Sequence, residues 1–133
     1  MSDEQPQRPD VKARLLADLV QAVSVGHPLQ TTAVAVLVGR DAYDVIQQAA
    51  SLRVSLNIPL EELLQCHLRN VVTVVSVAEK HFGSVAVALE WYRADRASEG
   101  SHHTPEALTA AGRLEDAYRR LLRANGELSR KAG

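Results

Sequence analysis

Apolar residues along this 133-residue chain recur every three or four positions, and glycine, proline, serine, threonine or aspartate marks most of the breaks. That spacing predicts a string of short helices. Asp10 can cap the first, in which Leu15, Leu16, Leu19, Val20 and Val23 make one apolar stripe, and Gly26-His27-Pro28 stops it. Thr31 and Thr32 open a short block ending at Val38-Gly39. Its Val34, Val36 and Val38 also alternate as in a strand, but a lone strand would leave its backbone groups unpaired, so a buried helix is expected. Asp41 caps a third helix whose inward side is either Tyr43, Ile46 and Ala50 or Val45, Ala49 and Leu52. The pattern fades from Arg53 to Asn57. Met1 to Pro9 is polar, holds two prolines and lacks the pattern, and reads as a mobile tail.

Pro59 opens the longest helix, because its missing amide proton costs nothing at a helix start and Glu61 and Glu62 suit the positive end of the dipole. Leu60, Leu64, Leu68, Val71 or Val72, and Val75 line its face. Val71-Val72-Thr73-Val74-Val75-Ser76-Val77 has strand propensity, with five valines in seven residues. Propensity differences among ordinary residues reach only about 0.7 kcal/mol each, so burial on several sides can override them. The expectation is a central, heavily buried helix through His81.

Three short helical blocks follow, punctuated by Phe82-Gly83-Ser84, Trp91, Thr104-Pro105-Glu106, Gly112 and Gly126. Gly83 ends the long helix and Ser84 caps one running through Trp91. Thr104-Pro105-Glu106 reads as N-cap, first helical residue and a carboxylate at the positive end of the dipole. Gly112 closes this brief helix, and Gly126 does the same after Leu114 to Asn125.

In this order, Ala78, Phe82, Gly83, Ala88, Trp91, Thr104, Pro105, Leu108, Gly112, Leu121 and Gly126 resemble the C-terminal toxin-binding domain of the MbcA/ParS/Xre antitoxin family. The match covers residues 78–126. It departs at Tyr92, where the family usually has Leu, and in the loop from Asp95 to His103, which lacks the usual Pro-Asn step. The resemblance implies an antitoxin that covers a cognate toxin, commonly a RES-domain enzyme that consumes NAD. It implies contacts from Trp91 and Tyr92 and from arginines of the last helix. An upstream helix-turn-helix that binds DNA is a frequent companion in such proteins.

Composition narrows the remaining choices. The length suits one domain, and with Phe and Trp once each the core is expected from many small aliphatic contacts. The single cysteine, Cys66, excludes an internal disulfide and reads as a small buried residue. No uncharged apolar run reaches the roughly 18 residues of a membrane span, and no signal segment precedes the first helix, so a cytoplasmic protein is expected. Residues 1–92 carry seven Lys and Arg against ten Asp and Glu, and residues 93–133 carry eight against six. The basic excess is therefore C-terminal. Arg113, Arg119, Arg120, Arg123, Arg130 and Lys131 form either a stripe for an acidic partner or a solvated face paired with Glu115 and Asp116.

No catalytic constellation, phosphate loop or metal-ligand spacing is present, so neither enzymatic activity nor a cofactor or metal is expected. His102-His103 reads as a surface pair, and His67 and His81 lie four turns apart on one helix, too far to share an ion. His27 reads as part of a helix end. For DNA, Arg40, Gln47, Gln48, Arg53 and Asn57 are the candidate contacts, although an acidic half-chain is poorly suited to phosphate neutralisation.

The fold expected is all-α, a compact bundle of about six or seven short helices around a long buried one. Its parts are a tail (1–9), a helical region that could be a degenerate helix-turn-helix (10–77), an antitoxin-like region (78–126) and a second tail (127–133). Partners expected are a cognate toxin and a second copy of the chain, with DNA the alternative for a stand-alone regulator and a structural adaptor the third reading. Trp91 suits either core or interface.

Overall fold

The computed structural model describes residues 7–50, 58–94 and 104–122. Among them lie seven helices and no strand: α1 (Gln7–Val25), α2 (Thr31–Val38), α3 (Ala42–Ala50), α4 (Leu60–Phe82), α5 (Val85–Ala94), α6 (Pro105–Ala110) and α7, described over residues 114–122. The protein is an all-α bundle, and α4 is its axis, packing against α1, α2, α3, α5 and α6.

The valine run is helical. Val71, Val72, Val74 and Val75 are all at most 2% exposed, and with Leu63, His67, Leu68 and Ala78 they cover about half of the helix circumference. Burying a valine is worth about 1.5 kcal/mol or more, which exceeds its propensity deficit of at most about 0.7 kcal/mol. Packing on several sides therefore decides the conformation. Leu60, expected on the buried face, lies on the same stripe as Leu63, His67, Val71, Val74 and Ala78 but is 40% exposed, because the first turn of the helix, residues 60–62, is exposed and burial begins at Leu63. Pro59 sits just before the helix with extended backbone (ψ 145°) rather than at its first position.

Local punctuation behaves largely as expected. Ser84 Oγ accepts from Val87 N at 3.2 Å and Thr104 Oγ1 from Ala107 N at 3.0 Å, while Pro105 takes the first turn of α6. Gly83 and Gly112 close their helices at φ 75° and 77°. Asp41 Oδ1 accepts from Asp44 N at 2.9 Å and starts α3, whose buried residues are Val45 and Ala49; Tyr43 is 68% exposed. Of the two inward sets expected for α3, the structure selects the second. α1 starts at Gln7, ahead of Asp10, which puts Pro9 in the first turn, where its missing N–H has no intrahelical partner to lose. Residues 1–6 and 127–133, Leu52 and Gly126 lie outside the described residues.

The connection between α1 and α2 is fastened to α4 by one side chain. Gln65 accepts from Leu29 N at 2.9 Å and donates to Leu29 O at 2.8 Å, and Leu29 itself is buried. No helix among the described residues is long and apolar enough to cross a membrane.

Leu68→Ala, at a fully buried position, should cost about 2–5 kcal/mol in urea denaturation. Leu60→Ala, on the same helix but exposed, should cost under about 1 kcal/mol. Equal losses would contradict the burial of α4 beginning only after its first turn.

Candidate functional site

Three polar or charged residues are buried among those described: His67, Glu106 and Thr109. All three meet around α6. Glu106, which the sequence places at a helix start as a dipole partner, is only 5% exposed and faces inward. An ionised carboxylate there needs compensation. It comes from Arg40, in the turn between α2 and α3. Arg40 Nε donates to Glu106 Oε2 at 2.9 Å and Nη2 to Oε1 at 2.7 Å, a two-pronged pair. Gln48 Nε2 adds a third bond to Oε2 at 3.1 Å.

The turn is shaped to deliver that arginine. Gly39 has φ 74°, and the amides of Gly39 and Arg40 return to Val36 O and Ala35 O to close α2. A side chain at position 39 would also collide with Arg93, since a Cβ there would lie 2.8 Å from Nη1. The Arg93 guanidinium thus rests against the turn, and its charge bears on Glu106.

Below Gln48 the network continues into the core. Gln48 gives its amide to Glu106, so its Oε1 faces His67 Nε2 at 3.3 Å. The His67 proton therefore sits on Nε2. Nδ1 is left as a buried atom without a hydrogen-bond partner. Burial lowers the His67 pKa to about 4, against a smaller opposing pull from the Glu106 charge. For Glu106, burial alone would raise the pKa. Hydrogen bonds from Arg40 and Gln48 and the charges of Arg40 and Arg93 outweigh it, and the group lies below the usual carboxylate value. The Arg40 pKa is raised, chiefly by its bond to Glu106.

Tyr92 lies near the carboxylate, close enough to feel its charge. It is 1% exposed, and Thr109, which acts on its phenol, donates from Oγ1 to Pro105 O at 2.8 Å. Burial and the Glu106 charge both raise the phenol pKa, so Tyr92 stays neutral. Trp91 is 7% exposed, packs on Phe82 at 6.2 Å between ring centroids, and leaves its buried Nε1 unpaired. Both aromatic residues expected as partner anchors are therefore part of the interior. A side chain in a chain poor in aromatics gains most where it removes most area from water.

The outer face of the network is an open groove of about 400 Å³ between α3 and α6, lined by Gln47, Gln48, Thr104, Glu106, Ala107, Ala110 and Ala111. Of the DNA candidates, Arg40 and Gln48 are engaged inward, Gln47 lines this groove, and Arg53 and Asn57 lie outside the described residues. Of the C-terminal arginines, Arg113 and Arg119 both pair with Asp116, at 2.7 and 3.1 Å. Arg120 is half-buried and Arg123 lies outside the described residues, as do His102 and His103. No group of three metal-ligating side chains occurs among the described residues.

Sequence reasoning missed His67 and the inward role of Glu106. A signal for His67 was present, since it sits four residues after Leu63 and four before Val71 on the inward stripe. Nothing local could pair Glu106 with a residue 66 positions away.

Replacing His67 tests the network by pH. Between about pH 6.5 and 4 the unfolded chain takes up a proton that folded His67 refuses, so stability falls as the pH falls through this window. The wild type should lose roughly 3 kcal/mol more than His67→Gln between pH 7 and 4. Parallel stability curves for the two proteins would contradict this.

Compared with family models, with curated proteins and with solved structures, the chain matches none, and a functional reading rests on this geometry and on the motifs of residues 78–126.

Proposed function

We propose that this protein is an antitoxin-like helical binding protein that neutralises a cognate toxin by covering it. The toxin implied by the resemblance is a RES-domain enzyme that consumes NAD. The observation that supports this reading is the agreement of motif with architecture over the described residues of the 78–126 region, 78–94 and 104–122. Gly83 closes α4, Ser84 caps α5, and Trp91 faces the interior from α5. Thr104 and Pro105 start α6, Gly112 closes it, and Leu108 and Leu121 are buried. These residues build a coherent helical unit and are more than isolated breaks.

The work of such a protein is steric and electrostatic occlusion, without covalent chemistry. Its accessible surface for that purpose includes the groove between α3 and α6, with alanines on one wall and Gln47 on the other. Exposed apolar residues, Val36 on α2, Tyr43 on α3 and Leu122 on α7 among them, are available to a toxin or to a second copy of the chain.

One feature favours a second, DNA-binding reading. α2 and α3 are joined by the three-residue turn Gly39-Arg40-Asp41, the connectivity of a helix-turn-helix. Against it, the exposed side chains of α3 include Tyr43, Asp44 and Gln47 and no cation.

Co-expression with the product of the adjacent open reading frame, followed by pull-down and a growth assay, separates the two. A complex that restores growth is the expected result. Absence of any complex, with duplex binding that weakens steeply as salt rises, would replace the antitoxin reading by the regulator.

A further inference from the structure

α3 buries Val45 and Ala49 and leaves Tyr43, Asp44 and Gln47 in solvent. Tyr43 is 68% exposed, more than any other large apolar or aromatic side chain among the described residues. A ring left outside brings a large contact area to any partner that covers it. Gln47, one turn further along α3, lines the groove between α3 and α6. The ring and the groove are therefore neighbouring parts of one surface, and exposed Ala107 and Ala111 supply apolar wall on its far side.

The charges of this surface are unevenly placed. From position 41 to the end of α3 the charged residues are Asp41 and Asp44, both exposed, with no lysine or arginine among them. Two cations lie nearby. Arg40 is engaged by Glu106 in the two-pronged bond, and Arg93 rests against Gly39, at the α2 end of the turn. The five groups together leave a negative excess, and both exposed carboxylates belong to the outer side of α3 and its cap.

That balance selects among occupants. Nucleic acid would bring phosphates against Asp41 and Asp44. A second copy meeting α3 about a two-fold axis would oppose aspartate with aspartate, because a two-fold sets the same patch against itself. An acidic protein surface meets the same repulsion. A basic segment is attracted: a guanidinium or ammonium group stacks on a tyrosine ring, pairs with the carboxylate of the adjacent residue, and lays its aliphatic stem on small apolar side chains.

We propose that the exposed face of α3, with the adjoining groove to α6, is a docking surface for an arginine- or lysine-bearing segment of a partner protein. Tyr43 takes the cation on its ring, Asp41 and Asp44 supply the counter-charge, and Gln47, Ala107 and Ala111 receive the stem. The α2–turn–α3 unit thus has the connectivity of a DNA reader and the charge to bind a cationic peptide. That the segment belongs to a toxin rests on the antitoxin reading, but the preference for basic sequence is a property of the free chain and is tested there.

The test is a titration of the full chain with a hexaarginine peptide, followed by amide NMR shifts. Shifts should gather on residues 41–47 and on Ala107 and Ala111, and hexaglutamate at equal ionic strength should produce none there. Tyr43→Ala combined with Asp44→Asn, both at exposed positions, should weaken hexaarginine binding about tenfold. Asp18→Asn, which removes one exposed carboxylate from α1, should change it by less than about twofold. If Asp44→Asn alone is no more harmful than Asp18→Asn, the attraction is to net charge and the surface is overturned. Shifts that miss α3, or that hexaglutamate reproduces, would overturn it as well. Shifts of the same residues by a short DNA duplex, with none from hexaarginine, would give this face to the regulator. Failure to find a toxin in the co-expression experiment leaves these outcomes unchanged.

Discussion

A carboxylate kept out of water stays ionised only where positive charge and hydrogen bonds replace the hydration it has lost. Glu106 sits under that constraint, and much of the surrounding geometry follows from it. Satisfying it requires an arginine from a distant part of the chain, hence the bend at Gly39 that turns Arg40 toward α6. It fixes the orientation of the Gln48 amide, and through Gln48 the tautomer of His67. It also adds to the burial that keeps Tyr92 neutral. One charge thus coordinates residues of α3, α4, α5 and α6 and of the turn before α3.

The rest of the bundle is held by a different force. α4 buries valines and leucines on about half its circumference, and the helices around it use Leu16, Leu19, Val34, Leu37, Val45 and Ala88. Such contacts are non-directional and tolerate adjustment. They specify that the helices pack but say less about where a short element such as α6 must lie. The hydrogen-bonded pair supplies that direction, since its two-pronged geometry is satisfied in few arrangements.

How much of this could be read from the sequence follows the same division. Helix starts and stops depend on neighbours within four residues, so the caps at Asp41, Ser84 and Thr104 and the closures at Gly83 and Gly112 were legible. So was the valine run, once burial was weighed against propensity. Tyr43 was harder, because several apolar stripes are available on one helix and only packing chooses between them, and Leu60 was harder because periodicity places it on the buried stripe but does not say that the packing begins one turn later. The site was least legible. Arg40 looked like a phosphate contact and Glu106 like a dipole partner, because a bond spanning 66 positions leaves no periodic trace. Trp91 was open between interface and interior and Tyr92 was expected at the interface; the packed structure buries both.

The claim that one buried ion pair ties the α2–α3 turn to α6 is tested most directly by a double-mutant cycle on Arg40→Gln and Glu106→Gln, read by urea denaturation. Each single change strands the other partner, and the double change strands neither. The account predicts a coupling energy of about 2 kcal/mol, below the full value for a buried pair because Arg40 is one-third exposed. Additive effects within about 0.5 kcal/mol would contradict it and return α6 to its apolar contacts alone.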